Sequence, residues 1–108
     1  MNWSSLKGSA FILRVKPGMA EEYEKRHDAL WPEMSEALKA QGIVFYEIFL
    51  DIKTNRVFGH MIRDRHYDPD TPEPEIVLKW RRHMADVLEF EGDKPARDPL
   101  KRVFYLTA

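Results

Sequence analysis

Two apolar, β-prone runs separated by only five residues constrain this chain more than any other feature. Residues 43–50 and 56–62 flank Asp51-Ile52-Lys53-Thr54-Asn55. A connection that short joins antiparallel strands, because a parallel return needs a crossover of about a dozen residues or more. An isolated two-stranded hairpin is marginal in water, so other elements have to cover it.

The flanking sequence supplies that cover. Residues 9–15 alternate, with Phe11, Leu13 and Val15 on one face and Ala10, Ile12 and Arg14 on the other, and Pro17-Gly18 stops the strand. Residues 19–40 are helix-rich, opening with Ala20, Glu21 and Glu22, where acidic side chains suit the positive end of the helix dipole. Pro32 lacks an N–H and biases Trp31 away from helical angles. The helix is therefore expected to break near Leu30 and Trp31, restart with Pro32 in its first turn and end at Gly42. Beyond the hairpin, Pro69, Pro72 and Pro74 forbid regular helix over residues 65–75. Helical spacing resumes over 76–88, with Leu78, Met84 and Leu88 as expected core contacts. A second polar loop over 91–99 then leads to an expected final strand over 101–106. The order β-α-β-β-α-β is an α+β arrangement of the ferredoxin-like kind. One domain over residues 9–108 is expected, after an irregular lead-in over residues 1–8.

Such a unit covers one sheet face and leaves the other open. Phe45, Phe49, Phe58, Phe104 and Tyr105 supply more apolar surface than one small layer hides, and surface of that kind marks association. A homodimer joined through the sheets is expected. With 17 basic against 18 acidic residues, no global field favours nucleic acid or an anionic membrane surface. There is no cysteine, which removes disulfides, thiolate metal sites and a cysteine nucleophile. No apolar run approaches the length of a membrane span, and the cytoplasm is the expected compartment.

The residues with chemistry to offer are fewer. Tyr23, His27 and Trp31 stand four apart, so on a helix they share one face. Histidine exchanges protons near neutral pH, and a tyrosine hydroxyl holds polar ligands. A lone helical histidine is more often a surface side chain than a catalyst; Tyr23 and the Pro32 break make His27 the leading acid/base candidate. Tyr46 sits among aliphatics on the second strand, and its hydroxyl needs either a backbone carbonyl or a ligand as partner. Trp80 is open to two readings, core packing or a platform for the C–H face of a sugar. His27, His60, His66 and His83 lack the paired spacing of a zinc motif, so no metal is expected.

Taken together, Glu21-Glu22-Tyr23, Arg26-His27 and Trp31-Pro32-Glu33 form one block. Tyr46 and Leu50-Asp51, Lys79-Trp80 with Met84-Ala85-Asp86-Val87, and Val103-Phe104-Tyr105-Leu106 form others. In residues and order they resemble the L-rhamnose mutarotase family. The resemblance implies a dimeric α+β barrel and a cofactor-free isomerase. Such an enzyme interconverts the α and β pyranose anomers of L-rhamnose or a close 6-deoxy sugar. It also implies that His27 is the catalytic acid and that Tyr23, Tyr46 and Trp80 contact the sugar. A second proton-transfer group is not identified. Arg81 stands where the family commonly has a second aromatic, and the 65–75 loop is proline-rich where relatives begin a longer helix. His60 occupies a strand position more often apolar, and its imidazole is a candidate to enter the pocket. The competing reading is a non-enzymatic sugar-binding or accessory protein on the same fold. A small monooxygenase is a third, since one fold hosts several chemistries.

Overall fold

The computed structural model describes residues 5–108. Strand β1 (Lys7–Arg14) is followed by helices α1 (Ala20–Asp28) and α2 (Pro32–Ala40) and then by strands β2 (Ile43–Asp51) and β3 (Arg56–Arg63). Helix α3 (Glu75–His83), a short ribbon of β4 (Phe90–Glu91) and β5 (Lys94–Pro95), and strand β6 (Arg97–Leu100) complete the chain. The main sheet has the order β2-β3-β1-β6, and every adjacent pair is antiparallel. With α1 and α2 counted as one interrupted helix, this is the ferredoxin-like α+β fold that the element order implies.

The local breaks fall where the side chains require them. Trp31 adopts extended angles (φ −62°, ψ 132°) and Pro32 opens α2. Gly42 (φ +88°) ends α2 in the left-handed region, where a side chain is strained. In the hairpin, the Asp51 carboxylate accepts from the Thr54 hydroxyl at 2.8 Å, and the Asn55 N–H donates to the Asp51 carbonyl at 2.9 Å. Phe11 faces Gly59 across the β1–β3 pairing, and a Cβ at Gly59 would run into the Phe11 ring.

The inner sheet face carries two packed clusters. Val15, Tyr23, Val57, Met84, Val87 and Leu88 close one end, while Phe11, Ile43 and Met61, with Leu38 of α2 against them, close the other. Of the candidate site residues, Tyr23 belongs to the first cluster and Trp80 packs against it, while Tyr46 packs against the second.

Three expectations about the second half are corrected. Helix α3 stops at His83 rather than at residue 88. A turn over 84–87 follows, and it buries Met84, Val87 and Leu88 together because Leu88 bridges to Val15. The 91–99 loop contains part of the β4–β5 ribbon and most of β6. The last strand is Arg97–Leu100, not 101–106, and it pairs with Ala10 to Leu13 of β1. Pro99 is tolerated there since β6 is an edge strand. Residues 101–108 continue without regular structure, and Val103, Phe104, Tyr105 and Leu106 are all exposed. At the other end β1 begins at Lys7, and residues 1–4 of the expected lead-in lie outside the described residues.

Candidate functional site

Helix α1 presents its Tyr23–His27 face to the sheet. Tyr23 is buried, and its ring lies 4.3 Å from the His27 ring at an interplanar angle of 34°. The His27 Nδ1 lies 3.0 Å from the Tyr23 carbonyl oxygen. A carbonyl only accepts, so Nδ1 carries the hydrogen and Nε2 is left to exchange protons. Trp80 of α3 meets His27 edge-on, with centroids 5.5 Å apart at 89°. Trp31, at the break between α1 and α2, stands edge-on against Trp80 at 5.1 Å. Tyr46 comes from the sheet, with the edge of Phe11 6.2 Å away.

Burial sets the electrostatics. Desolvation lowers the His27 pKa below its ordinary 6.5, partly offset by the Tyr23 carbonyl and by Asp28. Burial raises Tyr46 to about 12, against the opposing charge of Arg97. Tyr23 is raised further by burial and then by proximity to Tyr46. Both phenols therefore stay protonated at physiological pH and serve as hydrogen-bond partners. Of the three, His27 is the group whose ordinary pKa lies nearest physiological pH, and burial moves it down from there.

Tyr23, His27, Tyr46 and Trp80 all line one concavity of about 1380 Å³ between the helices and the sheet. That is more room than a single sugar needs, so the groups that hold a sugar occupy only part of it. The proline-rich 65–75 loop contributes Tyr67 and Glu73 to the wall. Arg81 lines it too, and its Nη2 donates to Glu73 at 2.8 Å. His60, expected in the pocket, lies elsewhere. It is paired with Glu47 across β2 and β3, and its Nδ1 is 3.1 Å from the Glu47 carboxylate. Met61, the next residue, faces Tyr46, so strand parity turns His60 to the opposite face.

Arg63 and Arg97 also line the concavity: the alternation of Arg63 and Arg65 with Asp64 reads in sequence as a solvated surface, and Arg97 falls in the expected 91–99 loop. The Arg97 guanidinium lies 4.0 Å from the Phe11 ring centroid. Its signal was hidden because the last strand was expected four residues too late. Among the described residues, no helix is long and apolar enough to cross a membrane.

The sequence model of the L-rhamnose mutarotase family matches residues 9–106. An L-rhamnose mutarotase of Sinorhizobium fredii is 46% identical over 100 residues, covering 91% of this chain and 96% of the relative. One of Listeria monocytogenes serotype 4b is 46% identical over 99 residues, covering 90% and 95%. The crystal structure of an L-rhamnose mutarotase from Formosa agariphila superposes with a TM-score of 0.82 at 36% identity, covering 94% of this chain and 99% of that one.

Proposed function

We propose an activity from a plain premise: the chain belongs to the L-rhamnose mutarotase family. It is an isomerase that interconverts the α and β pyranose anomers of L-rhamnose. The single observation that carries the assignment of roles is the His27 imidazole. It is held by its own helix through Nδ1, stacked on Tyr23 and walled by Trp80, with Nε2 left for chemistry.

Mutarotation needs a proton delivered to the ring oxygen and another removed from the anomeric hydroxyl. The C1–O5 bond then breaks and the aldehyde forms. Rotation about C1–C2 presents the other carbonyl face, and the ring oxygen closes on it. In our reading, imidazolium Nε2 of His27 donates to the ring oxygen on opening and recovers that proton on closure, while solvent water accepts the proton of the anomeric hydroxyl on opening and returns one on closure. The depressed pKa makes the imidazolium scarcer at neutral pH and a stronger acid when present. Tyr23 braces the imidazole, Tyr46 holds a substrate hydroxyl from the sheet, and Trp80 lies along the apolar edge of the sugar. No redox step occurs, since the aldehyde and the hemiacetal are at the same oxidation level.

The same proposal includes a homodimer. Phe45 and Phe49 are exposed on β2, as are Phe104 and Tyr105 beyond β6. Two copies packed sheet to sheet would cover this surface and form the α+β barrel.

Saturation-transfer NMR on L-rhamnose tests the activity: protein should accelerate α/β exchange at micromolar concentration. Exchange that stays at its spontaneous rate would sink the assignment. Binding without exchange would mean an accessory sugar-binding role. Light scattering tests the assembly, and a monomer at micromolar concentration would rule the dimer out.

A further inference from the structure

Arg26 immediately precedes His27, and its side chain ties α1 to the far end of α3. Its Nε donates to the Glu22 carboxylate at 3.0 Å, within α1. Its Nη1 donates to the His83 carbonyl at 2.6 Å and to Asp86 Oδ1 at 2.7 Å, while Nη2 donates to Asp86 Oδ2 at 3.1 Å. Only 15% of the Arg26 side chain is exposed, although the Asp86 carboxylate that it meets is largely open to water. The pairing with Asp86 is bidentate, the geometry that fixes orientation as well as distance.

The consequence lies in what the two tied segments carry. Helix α1 holds His27, and α3 holds Trp80 one turn before the His83 carbonyl. The rings close a circuit: His27 to Trp80 at 5.5 Å, Trp80 to Trp31 at 5.1 Å, and Trp31 to His83 at 5.0 Å. Edge-on ring contacts are weak and individually allow sliding. Within this circuit the Arg26 bonds are the directional, charge-assisted constraint between the helix bearing the imidazole and the helix bearing its wall. We infer that Arg26, with Asp86, is a positioning residue for proton transfer, setting where the imidazole of His27 stands relative to Trp80 and hence to the ring oxygen of a bound sugar. This inference rests on the mutarotase reading. It adds a role for two residues that touch no substrate.

A misplacement of about 1 Å at a reacting group can cost on the order of a hundredfold in rate. Two conservative variants test the strut, Arg26→Lys, which keeps the charge but loses the fork, and Asp86→Asn, which keeps the shape but loses the charge. The Asp86 side chain is 65% exposed, so the second change leaves the core untouched. Anomer exchange by NMR should show kcat lowered about tenfold to a hundredfold, with KM within about threefold of wild type. In the same samples the proton–proton contact between the His27 imidazole and the Trp80 indole should weaken while Tm stays close to wild type. Guanidinium chloride at millimolar concentration should partly restore kcat to Arg26→Ala, and urea should not.

Folded variants with kcat within twofold of wild type would overturn the inference. So would a fall in kcat, affinity and Tm together that guanidinium does not relieve, since that is ordinary destabilisation. A wild-type protein unable to accelerate L-rhamnose exchange would sink the mutarotase reading. The His27–Trp80 contact in Asp86→Asn then still decides whether the strut positions the ring.

Discussion

Two aromatic-rich regions of this molecule behave in opposite ways. Around α1, Tyr23, His27, Trp31 and Trp80 pack in a chain of ring contacts, and Tyr23 is 4% exposed. On β2 and beyond β6, Phe49 is 61% exposed and Phe104 is 78% exposed. Composition does not separate the two groups, but the partners available to them do. The first set finds its neighbours within the chain, from two helices and the break between them. The second projects from the uncovered sheet face and from a segment that runs past the end of its pairing strand. A folded chain thus assembles its proposed catalytic wall alone, whereas in our reading a second copy covers its apolar exterior.

The sharpest way to break this comparison is at the wall. His27→Ala should lower kcat for L-rhamnose exchange by about 10²–10⁴-fold, the usual contribution of a positioned acid or base. It should leave association intact, as light scattering on the same sample would show. Retained activity would remove His27 from the mechanism.

On the other side, Phe49→Asp puts a charge on the open sheet face. The dimer should weaken by about tenfold or more, read by sedimentation equilibrium, because a desolvated unpaired charge opposes burial. The helical wall should be unchanged, seen as an unaltered His27–Trp80 contact in NMR. A variant that remains dimeric at nanomolar concentration would place the interface elsewhere.

The smallest effects are those of pH. Acid-assisted opening requires imidazolium, whose pKa lies below 6.5, so kcat/KM should fall as pH rises above that depressed value, by up to about tenfold per unit. A rate that rises instead would make His27 the base that removes the anomeric proton. Stability moves in the reverse direction. The fold favours neutral His27, and the unfolded chain binds more protons between the depressed pKa and 6.5. His27 therefore favours folding fully above pH 6.5, and that contribution is lost as pH falls through the window. Thermal melts of wild type and His27→Gln at several pH values should diverge slightly in that window.

Much of the wall was legible in the sequence because its determinants are local. The four-residue spacing of Tyr23 and His27 places both on one face of any helix. The missing N–H of Pro32 breaks that helix wherever the rest of the chain goes. Asp51 to Asn55 likewise carries its own turn. The end of the chain was misread for the opposite reason: Val103 to Leu106 has strand-like composition, but a strand also needs a partner. Pairing with β1 stops at Leu100, opposite Ala10, although β1 itself runs on to Lys7, and no local pattern in 101–106 reports that. The face of His60 was hidden in the same way, because the inward parity of β3 follows from its register with Tyr46.

Family resemblance aside, sequence by itself therefore determined the element order, the hairpin, the helix break and the pairing of phenol with imidazole. Each depends on angles and contacts spanning a few residues. The tertiary structure decided that Tyr46 and Trp80 reach the same concavity as His27, that His60 does not, and that Arg26 locks α1 to the turn after α3. Those outcomes depend on register and on contacts up to 60 residues apart along the chain. Such contacts are fixed by strand register and by the packing of elements distant in sequence, which no local stretch of the chain specifies.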